Sequence, residues 1–470
     1  MVGYLAVMIG IGYFASRDSH SLVDFAIAGR KMPLWLCSVT LFATWFGSGT
    51  MMGAATAAYE NDKLLMLSEP FGSAVALLLA GLFFARILRR TRRLTWPEIL
   101  QTRYGKMAAT ISAAADLVGS IIWLGGILFT FGILLQSLAG VPMAIGIFGG
   151  LLVVVIYTMI GGMWAVAMTD FVQMLVFLIG MIVLLVAVLN EAGGWSAVTA
   201  QLPEGSLSLM PADADAMDWI NSIHIIMAMG LAGVASNSII QRALSARSEY
   251  VARNSFHVAA VAYTIFGCIP LVLGFTAAVL LPDLENPNAV LTTLALEYLH
   301  PALTVLFVGA VLSAIMSSSD SILLSSSMII SNNLLPLVKK HPDEGLRFLV
   351  ARYSIPVVGL VSTYIAFNAS RVVEVLLDSV AVVLAAVIAP FIACFWWKKA
   401  NRSGALASMI SGTIVWQVAR VMDTEFPPDL LGFCVSAVVL VVVTLATQRS
   451  DPPRPLTDID GAELELTDRI

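Results

Sequence analysis

Charged residues are scarce in this sequence. Only 12% of its 470 residues are Asp, Glu, Lys or Arg, whereas 59% are hydrophobic, and the mean hydropathy is +0.88. Soluble globular domains carry roughly a quarter charged residues. The composition therefore excludes a soluble enzyme or binding module and predicts a polytopic membrane protein.

Cysteine and histidine are also few, with four and five residues respectively. The cysteines lie in apolar runs and have neither paired spacing nor histidine neighbours, which argues against a disulfide framework or a zinc site. The sequence also lacks a Gly-x-Ser-x-Gly motif and paired catalytic aspartates. These absences argue against an intramembrane hydrolase, so we do not expect an enzyme.

Long apolar segments fill most of the chain. With a first segment at 1–16, about thirteen segments reach or approach the roughly 20 residues that a membrane-spanning helix needs. The others lie at 34–58, 65–86, 108–138, 142–162, 163–190, 220–243, 254–281, 301–334, 347–368, 371–397, 402–422 and 430–447. We therefore expect an all-α polytopic membrane protein with about 13 transmembrane helices.

Basic residues fall in alternate loops between these segments. Arg89 and Arg90 lie in one set of loops, whereas acidic residues such as Asp283 and Glu285 lie in the other. Lys and Arg collect in cytoplasmic loops. We therefore expect a multi-pass protein of the plasma (inner) membrane, with the N-terminus outside and the C-terminus in the cytoplasm.

Two short interruptions divide the apolar series into halves of similar length. One has the sequence ATWFGSGT at 43–50, and the other has GVASNS at 233–238. Paired broken helices at the start of two halves indicate a transporter built from inverted repeats. The expected parts are an extra helix with a cytoplasmic loop at 1–33, a first repeat at 34–190, an extracellular loop at 191–217, a second repeat at 218–399, two C-terminal helices at 400–447 and a disordered cytoplasmic tail at 448–470.

The densest polar stretch within the apolar series is VGAVLSAIMSSSDSILLSSSMIISNN at 308–333. Hydroxyl and carboxyl groups inside a membrane are costly unless they face a cavity or a partner. Four residues have the spacing i, i+3, i+4, i+7 and therefore share one helix face: Ala314, Ser317, Ser318 and Ser321. Sodium takes hard oxygen ligands, and an interrupted helix supplies free carbonyls. The serine-rich helix and the first interrupted helix together predict a sodium site.

Four motifs resemble those of the sodium:solute symporter family, which includes carriers of proline, glucose, sialic acid and choline. They are GGMWAVAMTDFVQ at 161–173, AIMSS at 314–318, the break in the second helix and Gln241-Arg242. The resemblance extends over nearly the whole chain. It implies a LeuT-type core of five plus five helices in inverted repeats, and sodium-coupled import of a small organic solute by alternating access.

The resemblance also implies which residues bind ions. A first sodium ion would be held by the carbonyls of Ala43, Phe46 and Ala314 and by the hydroxyls of Ser317 and Ser318. A second sodium ion would be held by Asp170, Ser317, Asp320 and Ser321. Family members often have serine in place of Asp320, so this aspartate adds a negative charge that would either tighten ion binding or let a proton or a second cation be used. The expected partners are one or two sodium ions, the solute and the lipid bilayer.

Within the family the likeness is greatest to the choline carriers, which hold a quaternary ammonium in an aromatic cage. Trp45 and Trp123 match two positions of that cage, whereas Ser73 and Ser236 stand where the choline carriers have aromatic residues. All four are expected solute contacts. The resemblance therefore implies a small cationic or amine-containing solute that is similar to choline.

Three further residues are candidates for solute contacts. The carboxylate of Glu69 would favour an ammonium group that donates hydrogen bonds. Asn237 follows Ser236 in the second broken helix, and Asp378 is a candidate pocket or gate residue. An amino acid or a carboxylate is the alternative solute. A membrane sensor that keeps the transporter fold is an alternative from a different class.

Overall fold

The computed structural model describes residues 2–15, 21–47, 49–210, 214–369, 372–422 and 424–464, and within these it leaves out the side chains at 2–6, 15, 137–139 and 372–378. The described part is mostly helical, and isolated bridges are its only β pairings. Its α-helices are α1 (Val2–Ala15), α2 (Leu22–Ile27), α3 (Leu34–Trp45), α4 (Ala54–Glu60), α5 (Lys63–Met66), α6 (Ser73–Leu79), α7 (Ala85–Thr91), α8 (Trp96–Ala139), α9 (Met143–Glu191), α10 (Trp195–Gln201), α11 (Ala216–Met227), α12 (Asn237–Ser245), α13 (Glu249–Leu280), α14 (Val290–Tyr298), α15 (Pro301–Ile329), α16 (Leu335–Val338), α17 (Glu344–Asn368), α18 (Val372–Ala386), α19 (Ile388–Trp396), α20 (Arg402–Val421) and α21 (Pro428–Ala446). Wider π-helical turns lie at Gly49–Gly53, Leu67–Gly72, Ala80–Phe84, Ala228–Ala232 and Ile330–Leu334.

Seven helical stretches among the described residues are long and apolar enough to cross a membrane, and counting each of two bent pairs as one span raises the number to nine. The predicted number of about 13 is therefore not confirmed. Two causes of the difference are plain. The helices α1 and α3 have only 14 and 12 residues, and α9 joins two of the predicted segments in one stretch.

Gly162 divides α9, which has 49 residues. A straight helix of that length would measure about 74 Å, more than twice the roughly 30 Å of a hydrocarbon core. Gly162 departs from helical geometry, with φ of 58° and ψ of −150°, a conformation that glycine tolerates. A Cβ at this position would lie 2.6 Å from the carbonyl oxygen of Phe25. The segments predicted at 142–162 and 163–190 therefore meet at a residue that must be glycine.

Both predicted interruptions of apolar helices are confirmed. The helix α3 ends at Trp45, and helical structure resumes with the π turn that begins at Gly49. The helix α11 continues through the π turn Ala228–Ala232, and α12 begins at Asn237 after a bend of 43°. The division of the chain into two repeats stays a prediction.

The serine-rich helix α15 lies in the protein interior. It packs against α3, α8, α9, α12 and α17, and it is buried from Ala310 to Ile329. Most of its hydroxyls bond to a carbonyl one turn earlier, as Ser319 does to Ile315 at 2.8 Å. Ser317 also contacts α3. The polar face of α15 is therefore covered by other helices.

The described part of the C-terminal tail, for which disorder stays a prediction, contacts the helices. Leu456 is 2% exposed. Arg103 donates through Nε to the carbonyl of Arg454 at 3.0 Å, and Arg93 donates to another main-chain carbonyl of the tail at 2.8 Å. Arginines around the start of α8 thus bind main-chain carbonyls of the tail. The last six residues lie outside the described part.

Candidate functional site

The first candidate ion site lies where α3 ends. Carbonyls in the last turn of a helix have no N–H partner within that helix. The N–H of Phe46 returns to the carbonyl of Phe42 at 2.8 Å, whereas the carbonyl of Ala43 accepts a hydrogen bond from Ser317 Oγ in α15 at 3.0 Å. Ser317 Oγ is also 3.0 Å from the carbonyl oxygen of Ala314. One hydroxyl thus joins two of the expected carbonyl ligands.

Ser318 completes this group of oxygens. Its hydroxyl is buried and has no hydrogen-bond partner among the described residues. A Cβ added at Gly47 would overlap with this hydroxyl, so Ser318 faces the break in α3. Phe46 lies at the same break, with non-helical φ of −74° and ψ of 65°. Because buried polar atoms are rarely left unsatisfied, the free hydroxyl beside these carbonyls fits a sodium ligand.

A cluster of charged side chains is buried beside the first site. Asp170 of α9, Arg242 of α12 and Asp320 of α15 are each 0% exposed. Arg242 lies 3.9 Å from Asp170, and Thr40 donates a hydrogen bond to the same carboxylate. Tyr157 donates its hydroxyl hydrogen to Asp320 at 2.8 Å. When all three are ionised, two carboxylates and one guanidinium leave a formal charge of −1.

Ser321 connects this cluster to the first site. Its hydroxyl lies 2.9 Å from the carbonyl oxygen of Ser317 and 3.1 Å from the carboxylate of Asp320. It also accepts a hydrogen bond from Arg242. Asp170 Oδ1 is buried and has no partner among the described residues. The structure thus brings the four residues expected at a second ion site together and adds Arg242, which belongs to the Gln241-Arg242 motif but had no expected role in ion binding.

A cavity of about 60 Å³ adjoins the candidate ion sites. One buried water needs about 10–15 Å³ of such space. The cavity therefore has room for several waters or for a small solute. Trp45, Trp123 and Ser236 of the expected solute contacts line it. Thr44, which also lines it, lies 3.1 Å from the hydroxyl of Ser321. The cavity and the ion cluster therefore share a wall, formed by the end of α3.

Asp116 lines the same cavity, although sequence analysis gave it no role. Its Oδ1 accepts hydrogen bonds from Trp96 Nε1 at 3.3 Å and from the main-chain N–H of Asn237 at 3.2 Å. Its Oδ2 is buried and has no partner among the described residues. Asn237 itself lies outside the lining, and its side chain donates to the carbonyl of Ser325 at 3.2 Å. The side chain of Asp378 is outside the described part of the chain.

Glu69 and Ser73 also lie outside the lining of the cavity. The buried Glu69 carboxylate accepts hydrogen bonds from Thr50 at 2.8 Å, from Ser73 at 2.7 Å and from Tyr263 at 3.0 Å. The Tyr263 hydroxyl is also 3.1 Å from the carbonyl oxygen of Trp45. Glu69 is thus satisfied within a hydrogen-bonded network that supports the broken end of α3.

The model of the sodium:solute symporter family matches residues 25–412 of this chain. The chain belongs to this family. Among curated relatives of this symporter, human High affinity choline transporter 1 is 27% identical over 436 residues, which cover 88% of this chain and 74% of the relative. The Sodium/pantothenate symporter of Escherichia coli (strain K12) is 26% identical over 464 residues, which cover 92% of this chain and 91% of the relative.

Two solved structures show the fold of the symporter. A Na⁺-coupled sialic acid symporter in a substrate-bound outward-open state matches with a TM-score of 0.83 and 21% identity, over 97% of this chain and 98% of the other. A nucleobase-cation-symport-1 family transporter matches with a TM-score of 0.63 and 14% identity, over 91% of this chain and 95% of the other. The chain is an all-α, multi-pass membrane protein with a LeuT-type fold. It is not an enzyme but couples the transport of a small solute to sodium.

Proposed function

We propose that the symporter imports a small organic cation, similar to choline, together with sodium. The observation that carries this proposal is that two indoles, those of Trp45 and Trp123, line one buried cavity. A desolvated cation over an indole face gains about 2 kcal/mol. The described lining contains one carboxylate, Asp116, and no Lys, Arg or His side chain. Its charge and its aromatic faces both favour a cation.

An amino acid or a carboxylate is the second candidate solute. The similarity to the Escherichia coli Sodium/pantothenate symporter favours it. The described lining argues against it, because the cavity has no basic side chain and its one charged side chain, Asp116, would repel a carboxylate. The similarity to choline transporters of human and Caenorhabditis elegans supports the cationic solute.

The proposed site of the first sodium ion is the gap between α3 and α15. The carbonyls and hydroxyls there are neutral oxygens, which bind sodium without requiring a buried carboxylate. The unsatisfied hydroxyl of Ser318 supports this assignment. The proposed ligands are the main-chain oxygens of Ala43, Phe46 and Ala314 and the side-chain oxygens of Ser317 and Ser318.

We assign a second cation to the neighbouring cluster. Asp170 and Asp320 carry one negative charge more than Arg242 neutralises, and a buried uncompensated charge is costly. A second sodium ion or a proton bound with Ser317 and Ser321 would remove that cost. The symporter would then use two cations for each solute.

Ion and solute meet at the same end of α3. The carbonyl of Ala43 contacts α15, and the indole of Trp45, two residues further on, lines the cavity. A sodium ion that holds α3 against α15 therefore also positions Trp45 around the solute. Alternating access would carry ions and solute inward across the plasma (inner) membrane, with the N-terminus outside. The alternation of basic and acidic loops supports this orientation.

Uptake by purified protein in liposomes tests the proposal. Under an inward sodium gradient we expect the liposomes to accumulate labelled choline or a related amine, and under an equal potassium gradient we expect no accumulation. Accumulation of pantothenate or an amino acid, with no amine transported, would overturn the cationic assignment. Sodium-dependent binding without accumulation of any solute would instead indicate a sensor.

A further inference from the structure

We propose that the free carboxylate oxygen of Asp116 binds an N–H group of a protonated amine, so that the preferred solutes are primary to tertiary ammonium ions rather than quaternary ones. This inference rests on the proposed function, because it assumes a cationic solute in the cavity lined by Trp45 and Trp123. It assigns to Asp116 the part that sequence analysis had expected of Glu69.

The two oxygens of Asp116 have different surroundings. The side chain is buried, with 4% of the residue exposed. Oδ1 is occupied by two N–H donors, from Trp96 at 3.3 Å and from Asn237 at 3.2 Å. Oδ2 is buried without a partner among the described residues, although Asp116 lines the cavity. The donors on Oδ1 fix the orientation of the carboxylate and leave Oδ2 without a hydrogen-bond donor among the described residues.

No cation in the described part of the chain neutralises Asp116. The two N–H donors that hold it are neutral, and Asp116 forms no ion pair with a described residue. The first N–H of α12, from Asn237, contributes only the partial positive charge of a helix N-terminus. A full positive charge on a solute would therefore complete the site electrostatically.

Asp116 and the tryptophan of α8 share one wall of the cavity. Asp116, Ser120 and Trp123 are spaced i, i+4 and i+7, so they follow one face of the helix, and all three line the cavity. The intervening Gly119 permits close packing, since a Cβ there would lie 2.7 Å from the carbonyl oxygen of Ser379. One solute is therefore within reach of an indole and a carboxylate from the same helix.

The two kinds of contact discriminate differently among ammonium ions. An indole face attracts a cation through its charge and accepts methylated and unmethylated ammonium groups alike. A carboxylate oxygen with free lone pairs also forms a charge-assisted hydrogen bond, which needs an N–H that a quaternary ammonium lacks. Losing one such bond weakens binding on the order of tenfold to a hundredfold. Asp116 therefore makes the number of N-methyl groups a determinant of affinity.

A methylation series of one amino alcohol tests this inference in the purified, full-length symporter with sodium present. The probes are ethanolamine, N-methylethanolamine, N,N-dimethylethanolamine and choline, and thermal stabilisation gives the half-saturating concentration of each. We expect N,N-dimethylethanolamine to half-saturate at a concentration at least tenfold lower than choline does. These two probes differ by a single N–H replaced by N-methyl.

Asp116→Asn is the decisive variant, because its amide keeps an oxygen for Trp96 and Asn237 but removes the negative charge. We expect the ratio between choline and N,N-dimethylethanolamine to fall to about one. Asp429→Asn is the matched control, since Asp429 is also a buried aspartate with a partner, His224 at 2.8 Å. This control should keep the ratio of the unsubstituted protein.

The possible failures are distinguishable. If choline binds as tightly as N,N-dimethylethanolamine in the unsubstituted protein, the inference is wrong while the cationic solute stands, and this result needs no variant. If the preference exists but survives Asp116→Asn, another group selects the N–H. If none of the four amines stabilises the protein in sodium, the proposed function itself fails.

Discussion

Ser317 of α15 and Ala43 of α3 are 274 residues apart in sequence, and the serine hydroxyl lies 3.0 Å from the alanine carbonyl oxygen. This pair joins the unwound end of one helix to the serine face of another. Neither residue is charged, so the contact is sensitive to distance and to the presence of a hard cation, not to pH.

Removing the Ser318 hydroxyl should weaken sodium binding. In Ser318→Ala we expect the sodium concentration for half-maximal uptake to rise on the order of tenfold, the cost of one lost oxygen ligand of a cation. Ser319→Ala is the matched control, because the Ser319 hydroxyl bonds back to Ile315 at 2.8 Å. An unchanged sodium dependence in Ser318→Ala would remove Ser318 from the site.

Adding a methyl group at Gly47 should have a similar effect for a steric reason. Its Cβ would overlap with the Ser318 hydroxyl, and overpacking of this kind costs about 1–3 kcal/mol. We expect Gly47→Ala to reduce the thermal stabilisation that sodium gives. In Gly149→Ala, where nothing lies within 4 Å of the added Cβ, the stabilisation should stay the same. Equal behaviour of the two variants would contradict the packing of Ser318 against the break.

Removing the charge of Asp320 should change the number of cations transported. Asp320→Asn leaves Asp170 and Arg242 as a balanced pair, so the second cation loses its electrostatic reason to bind. We expect the charge moved per solute in a transport-current measurement to fall by one and the sodium dependence to lose its cooperativity. Tyr157→Phe removes a hydrogen bond to Asp320 without changing charge. This variant should keep the charge moved per solute of the unsubstituted protein. If Asp320→Asn moves the same charge per solute as the unsubstituted protein, the cluster binds no transported cation.

Shortening the buried leucine of the tail should release the tail from the helices. Leu456 is 2% exposed and Ile459 is 47% exposed. Leu456→Ala should cost about 2 kcal/mol of docking free energy, which corresponds to about a thirtyfold rise in the undocked population. Limited proteolysis of the tail measures this, and Ile459→Ala is the control that should resist cleavage as the unsubstituted protein does. Equal cleavage rates for the two variants would show that Leu456 does not hold the tail.

The sequence predicted features of the structure where the residues concerned lie close together in the chain. Serines on one helix face and a glycine-containing break are local patterns, and the structure places Ser317 of the first against Ala43 of the second. It was less informative where a role depends on what another helix supplies. The contacts of the tail are an example, because its partner Arg103 lies in α8, 351 residues from Arg454 in sequence.

The same limit applies to the acidic residues. Glu69 and Asp116 are both carboxylates within apolar segments, and nothing in the neighbouring residues shows which of them reaches a cavity. Three hydroxyl donors from three parts of the chain satisfy Glu69, whereas the donors to Asp116 leave one oxygen free. Tertiary hydrogen bonding decides this difference, and it has no signature in a single sequence.

The short span between Ala43 and Trp45 has a thermodynamic consequence. Because one helix end contributes an oxygen to the proposed ion site and a ring to the cavity, the binding of each ligand there would alter the binding free energy of the other. Linkage requires these effects to be equal, so the factor by which sodium tightens solute binding is the factor by which solute tightens sodium binding. A carrier with this geometry is therefore as much a solute-dependent sodium receptor as a sodium-dependent solute receptor.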